Sequence, residues 1–187
     1  MGNIVKIILK AGLIGFLALI ILFAAFMGFA AWISNSNNQV KGDKEEILKS
    51  EQSNPKKALL VYQPSKTGAA SEIAHQIAKG LNEKGYEVTV NYPGKHLSQD
   101  TSKYSLLVFG SPVYIGKVSS ALTDYMKGIK DVGNKKVVLY SVGSSKEAKE
   151  LDILEGALSA SKPTIKEKFM PSDKTKAYEL GKKIAEE

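Results

Sequence analysis

The 187-residue sequence contains no cysteine and no arginine, and only two histidines and one tryptophan. Without cysteine there is no disulfide, no thiolate metal site, no cysteine-held iron–sulfur cluster and no thiol nucleophile. All 26 basic side chains are lysines, set against 19 acidic ones, and they give a net charge of +7. Lysine is a point charge, which suits an anionic membrane surface better than bidentate recognition of bases. The lysines are scattered without interleaved aromatics, so no nucleic-acid site is expected. His75 and His96 lack metal-ligand spacing and read as surface residues, so no metal is expected either.

Several motifs are missing as well. The chain has no Gly-Lys-Ser/Thr phosphate loop and no Gly-x-Gly-x-x-Gly fingerprint, which leaves nucleoside triphosphates and dinucleotides without support. Ser53-Asn54-Pro55-Lys56 and Lys66-Thr67-Gly68 imitate pieces of the penicillin-binding pattern, but no Ser-Asp-Asn element lies between them.

Charge is absent from Ala11 to Ile33, a run of 23 residues rich in Leu, Ile, Phe and Ala. About 20 such residues cross a bilayer as a helix, whereas the apolar region of a signal peptide spans roughly 7–15. Residues 1–33 therefore read as a single-pass membrane anchor, with Trp32 near one interface. Lysines flank the run on both sides, so the positive-inside rule does not orient it. Residues 34–55, rich in Asn, Ser, Gln and Lys, read as a polar linker in which Glu45 to Leu48 could form a short helix. Residues 56–187 are left as one folded domain.

Within that domain strands and helices alternate. Ala58–Tyr62 is a continuous apolar run, followed by a helix marked by Ile73, Ile77 and Leu81 and ended by Gly85. A strand over Tyr86–Asn91 is broken by Pro93 and Gly94, and a central strand follows at Leu106–Phe109. Little room is left between them for a helix. Ser119 or Ser120 is placed to cap a helix carrying Leu122, Tyr125, Met126 and Ile129. A strand over Lys136–Val142 precedes a helix capped by Ser145 and carrying Leu151, Leu154 and Leu158. A weaker strand at Thr164–Phe169 and a last helix through Ala177, Leu180 and Ile184 complete the chain. This alternation predicts an α/β fold, a parallel sheet with helices on both faces.

In such sheets ligands bind beyond the carboxyl ends of the strands, where the strand order reverses. The loop after the first strand offers Ser65, Thr67 and Gly68 at a helix start, as a phosphate requires. The loops after the third and fourth strands offer Tyr114, and Gly143 with hydroxyls.

Ser65-Lys66-Thr67-Gly68-Ala69-Ala70, with Ala74 four residues on, and Gly110-Ser111-Pro112-Val113-Tyr114 together resemble the two loop motifs of the flavodoxin family, across roughly Lys56 to Glu187. The resemblance implies a doubly wound five-stranded parallel sheet of order 2-1-3-4-5 that binds flavin mononucleotide (FMN). It implies that Ser65, Lys66, Thr67, Gly68, Ala69 and Ala70 hold the phosphate. Ser111, Pro112, Val113, Tyr114 and Gly116 would then border the ring on one side, with Ser141, Gly143 and Ser144 on the other. Ala69 and Ala70 replace the usual Asn and Thr, which removes two side-chain donors from the phosphate site.

No side chain in these loops is an evident general acid or base, so no catalytic residue is expected and the flavin would do the chemistry. The expected role is electron transfer between a reduced donor and a partner protein or quinone at the membrane, with the domain on the cytosolic side. Alternatives are an oxidoreductase similar to the flavodoxin-like quinone reductases or protoporphyrinogen oxidases, and a binding module that has lost its flavin.

Overall fold

The computed structural model describes residues 2–130, 132–145, 147–158 and 163–186, apart from the side chains of Ser34 and Asn37. The chain divides into two compact units that meet between Ser36 and Asn37. The first is helix α1, Gly2–Asn37, which also takes in Lys6 and Lys10. Its 36 residues extend about 54 Å at the usual rise per residue. It is long and apolar enough to cross a membrane.

The second unit is a six-stranded sheet of order β1-β3-β2-β4-β5-β6 with helices on both faces. Strands β2 (Lys57–Tyr62), β3 (Glu87–Asn91), β4 (Leu106–Pro112), β5 (Lys136–Val142) and β6 (Ile165–Phe169) are parallel and take the expected order. The sixth strand, β1 (Glu46–Leu48), comes from the polar segment and pairs antiparallel with β3. A strand thus stands where a short helix was expected. The reason is tertiary, because β3 offers an open edge to pair with.

Every residue of β4 is buried, which explains its unbroken apolar character between two covered faces. Alternate residues feed separate cores. Leu60, Val108 and Tyr140 meet helices α2 (Ala69–Glu83) and α5 (Lys174–Glu186) on one face. Leu59, Leu107 and Leu139 meet α3 (Ser120–Lys127) and α4 (Glu150–Gly156) on the other. Helices α2 and α5 touch through facing glycines. A Cβ on Gly80 would lie 2.2 Å from the Tyr178 carbonyl oxygen, and one on Gly181 would lie 2.3 Å from that of Ile77.

No helix forms between β3 and β4, as the short interval predicted. Leu97 instead packs on the second core, and the Tyr125 hydroxyl donates to the Ser98 carbonyl at 2.8 Å. Helix α4 starts at Glu150, later than expected, because the Ser145 hydroxyl accepts the Glu147 N–H in a local turn and caps no helix.

The segment after α1 is fastened to the carboxyl edge of the sheet. Asn38 Oδ1 accepts the Ser120 N–H at 2.8 Å and so supplies the missing bond at the start of α3. The Gln39 carbonyl accepts from Gln63 Nε2 at 3.0 Å. The Lys44 N–H donates to Asn91 Oδ1 at 3.0 Å, and Asn91 Nδ2 donates to Asp43 Oδ1 at 2.8 Å.

Candidate functional site

The loop after β2 is built around Gly68, whose N–H closes a turn on the Ser65 carbonyl at 3.1 Å. Gly68 has φ +78 with nothing near its would-be Cβ, so glycine serves the backbone angle here, not a lack of space. Ser65 Oγ accepts the Ala70 N–H at 3.1 Å and lies 3.3 Å from Thr67 Oγ1, which faces the Ala69 N–H at 3.5 Å. Two hydroxyls and two amide donors are thereby gathered at the positive end of a 15-residue helix. The side chains of Lys66 and Thr67 are exposed at this end, while Ala70 is buried.

Beneath the loop lies Gln63, fully buried, with its N–H on the Gly110 carbonyl at 3.0 Å. Its Oε1 has no hydrogen-bond partner among the described residues. Gln63 was not among the expected site residues, although a glutamine directly after an apolar strand is itself a signal.

The loop after β4 begins later than expected, since the strand runs through Pro112. Ser111 is fully buried, its hydroxyl donating to the Pro112 carbonyl and accepting the Ser119 N–H, both at 2.9 Å. It braces the loop from within. Tyr114 and Lys117 exchange N–H···O bonds at 3.0 Å around a two-residue turn. Ile115 and Gly116 at its tip have φ of 52 and 71, the left-handed pair of a type I′ turn. A β-branched residue is strained there, and Ile115 is also exposed. Tyr114 is half-buried beside this tip.

The loop after β5 touches the previous one. The Val113 N–H donates to the Val142 carbonyl at 2.8 Å, and a Cβ on Gly143 would lie 3.2 Å from that of Val113. Ser144 is exposed, whereas Ser141 is fully buried and donates to Glu150 Oε1 at 2.7 Å. The Lys168 ammonium pairs with the same carboxylate oxygen. Burial pushes the Glu150 carboxyl up, but the hydrogen bonds from Lys168 and Ser141 outweigh it and hold the group below its usual range. Neither Glu150 nor Lys168 was singled out from sequence, because an ion pair between distant segments leaves no local pattern.

The structure thus brings the three loops to one edge of the sheet. Gln63 ties the first to β4, and Val113 joins the second to the third.

A family model described as "Flavodoxin domain" matches residues 59–185. The chain belongs to the flavodoxin family. The fold of this flavodoxin domain is similar to a Streptococcus pneumoniae TIGR4 flavodoxin, at 21% identity and a TM-score of 0.56, covering 70% of this chain and 96% of that one. It is equally similar to the flavodoxin of Megasphaera elsdenii, at 18% identity and a TM-score of 0.56, covering 70% and 99%. The flavodiiron core of Flv1 from Synechocystis is similar at 23% identity and a TM-score of 0.54, covering 73% of this chain and 37% of that one. No curated protein sequence matches the chain. Among the described residues of this flavodoxin-family chain, no group of three or more His, Asp or Glu is placed to hold a metal.

Proposed function

We propose that the chain is a membrane-tethered, FMN-binding redox protein that passes electrons between a reduced donor and an acceptor at the membrane. The observation that carries this reading is the first loop: two hydroxyls, a left-handed glycine and the amide donors of Ala69 and Ala70 converge at the N-terminus of α2. That donor set fits a phosphate dianion. Thr67, Lys66 and the backbone from Gly68 to Ala70 would hold the phosphate, with Ser65 bracing the turn behind them. Tyr114, Val113 and the backbone at Gly143 and Ser144 would line the ring. Bound FMN supplies the electron chemistry. The chain's own residues bind it, orient it and keep it against the sheet edge. The 36-residue α1 supports the tether, since its length and apolar composition suit a span.

The test is reconstitution of the purified full chain with FMN, read by quenching of flavin fluorescence. Saturable quenching is expected, weakened about 10- to 150-fold by Thr67→Ala through loss of one hydrogen bond to a charged group, roughly 1.5–3 kcal/mol. Absence of quenching in the unaltered chain overturns the reading.

A second reading, an FMN-dependent quinone reductase, draws on a cavity of about 630 Å³ lined mainly by apolar surface of Val40, Gly94, Ala121 and Tyr125, with His96 and Asp124 beside them. That size suits a small substrate. Turnover of a quinone by the purified protein with a reduced nicotinamide alone favours the enzyme, while dependence on a protein partner favours the carrier.

A further inference from the structure

The Glu150–Lys168 pair stands apart from the other ion pairs among the described residues. Its side chains are 5% and 11% exposed, whereas those of the other pairs lie at 26% or more. Burying two charges costs solvation that their attraction returns only in part, and a packed apolar pair often stabilises a protein as well. Stability alone is therefore a poor reason for the pair, and its position offers a better one. Lys168 is the penultimate residue of β6 and Ser141 the penultimate residue of β5, so the group sits at the carboxyl edge of the sheet, behind the third loop. The Lys168 Nζ lies 3.4 Å from where a Cβ of Gly143 would be. No Glu150 atom lies as close to that point, so the ammonium is the member of the pair nearer the loop. The carboxylate is fixed by the Ser141 hydroxyl.

We propose that Lys168, held by Glu150 and Ser141, is a positioning residue of the ring site that places a fixed positive charge behind Gly143 and favours the reduced, more negative flavin over the oxidised one. This rests on the FMN reading above. A flavin that takes up two electrons and one proton carries one more negative charge, and a nearby ammonium in a weakly screened site lowers its energy. The pair is neutral as a whole, so the effect comes from its orientation, and its two halves act in opposite senses.

The experiment uses the full chain in detergent, loaded with FMN and reduced stepwise by dithionite against a dye of known potential. Lys168→Met is expected to lower the preference for reduced over oxidised FMN at least tenfold, about 30 mV for a two-electron couple. Glu150→Gln keeps the ammonium and a partner for Ser141, and is expected to shift the potential the other way. The double variant should return close to the unaltered protein. A merely structural pair would move both single variants in the same direction through loss of loop order, and that result overturns the assignment, as does a change below twofold in either. Should Lys168→Met not fold, the sign of the Glu150→Gln shift decides alone. If the unaltered chain fails to bind FMN, the functional reading falls and this assignment with it. Binding with an unshifted potential in the variants overturns the assignment only.

Discussion

Tyr140 offers a sharp test of the packing. Its ring lies in the middle of β5, fully buried, edge-on to Phe169 with centroids 5.9 Å apart. The ring fills the space above Gly110, where a Cβ would come within 1.9 Å of Tyr140 Cζ. Its hydroxyl has no hydrogen-bond partner among the described residues, and burial pushes its pKa well above the usual value. An unsatisfied buried hydroxyl costs about 1–3 kcal/mol. Replacing Tyr140 with Phe removes that cost while keeping the ring and its contacts. The void left is smaller than a methyl group and costs under about 1 kcal/mol. Tyr140→Phe is therefore expected to stabilise the domain by about 1–2 kcal/mol. For a domain of this size that raises Tm by roughly 2–8 °C. Urea unfolding followed by far-ultraviolet circular dichroism should show a higher midpoint at unchanged slope. A fall in stability of 1 kcal/mol or more would refute the reasoning, because it would mean that the hydroxyl makes a bond worth keeping.

Two other perturbations test separate contacts. Gly80→Ala places a methyl group against the Tyr178 carbonyl and is expected to cost about 1–3 kcal/mol by forcing α2 and α5 apart, despite alanine's better helix propensity; a more stable variant in urea contradicts the close approach. His75 bridges α2 to β1, its Nε2 2.9 Å from Glu46 Oε2 and its Nδ1 2.7 Å from the Ser71 carbonyl. Burial lowers the His75 pKa, but these partners outweigh it and raise it overall. A raised folded-state pKa means that the stabilisation is complete below the unfolded value of about 6.5 and is lost as pH climbs through the folded value. The urea midpoint of the unaltered protein should fall between pH 6 and 8 more than that of His75→Gln. Parallel pH profiles would remove the pair from the stability of β1.

The five parallel strands were legible because each carries its signal locally. Ala58–Tyr62 and Leu106–Phe109 are apolar without interruption, and Ile73, Ile77 and Leu81 repeat at helical spacing. The first loop was legible for the same reason, since Ser65, Thr67 and Gly68 are close in sequence as well as in space. What stayed hidden depends on distant partners. Glu46–Leu48 has no strand pattern of its own and takes its conformation from the β3 edge. Ser111 and Ser141 belong to loop motifs, yet their hydroxyls turn inward to Ser119 and Glu150. Gly110 reads as part of a ligand loop, but its missing side chain makes room for Tyr140.

The fastening of residues 38–44 has a mechanical side. Asn38 is bonded to the start of α3, Gln39 to Gln63 beneath the first loop, and Asp43 and Lys44 to Asn91 at the end of β3. Load on the chain ahead of Asn38 is therefore borne by four side-chain hydrogen bonds before it reaches the β1–β3 ladder. Tension enters the sheet at the edge that carries the loops, and the Gln63 amide at the root of the phosphate turn is among the first groups to feel it.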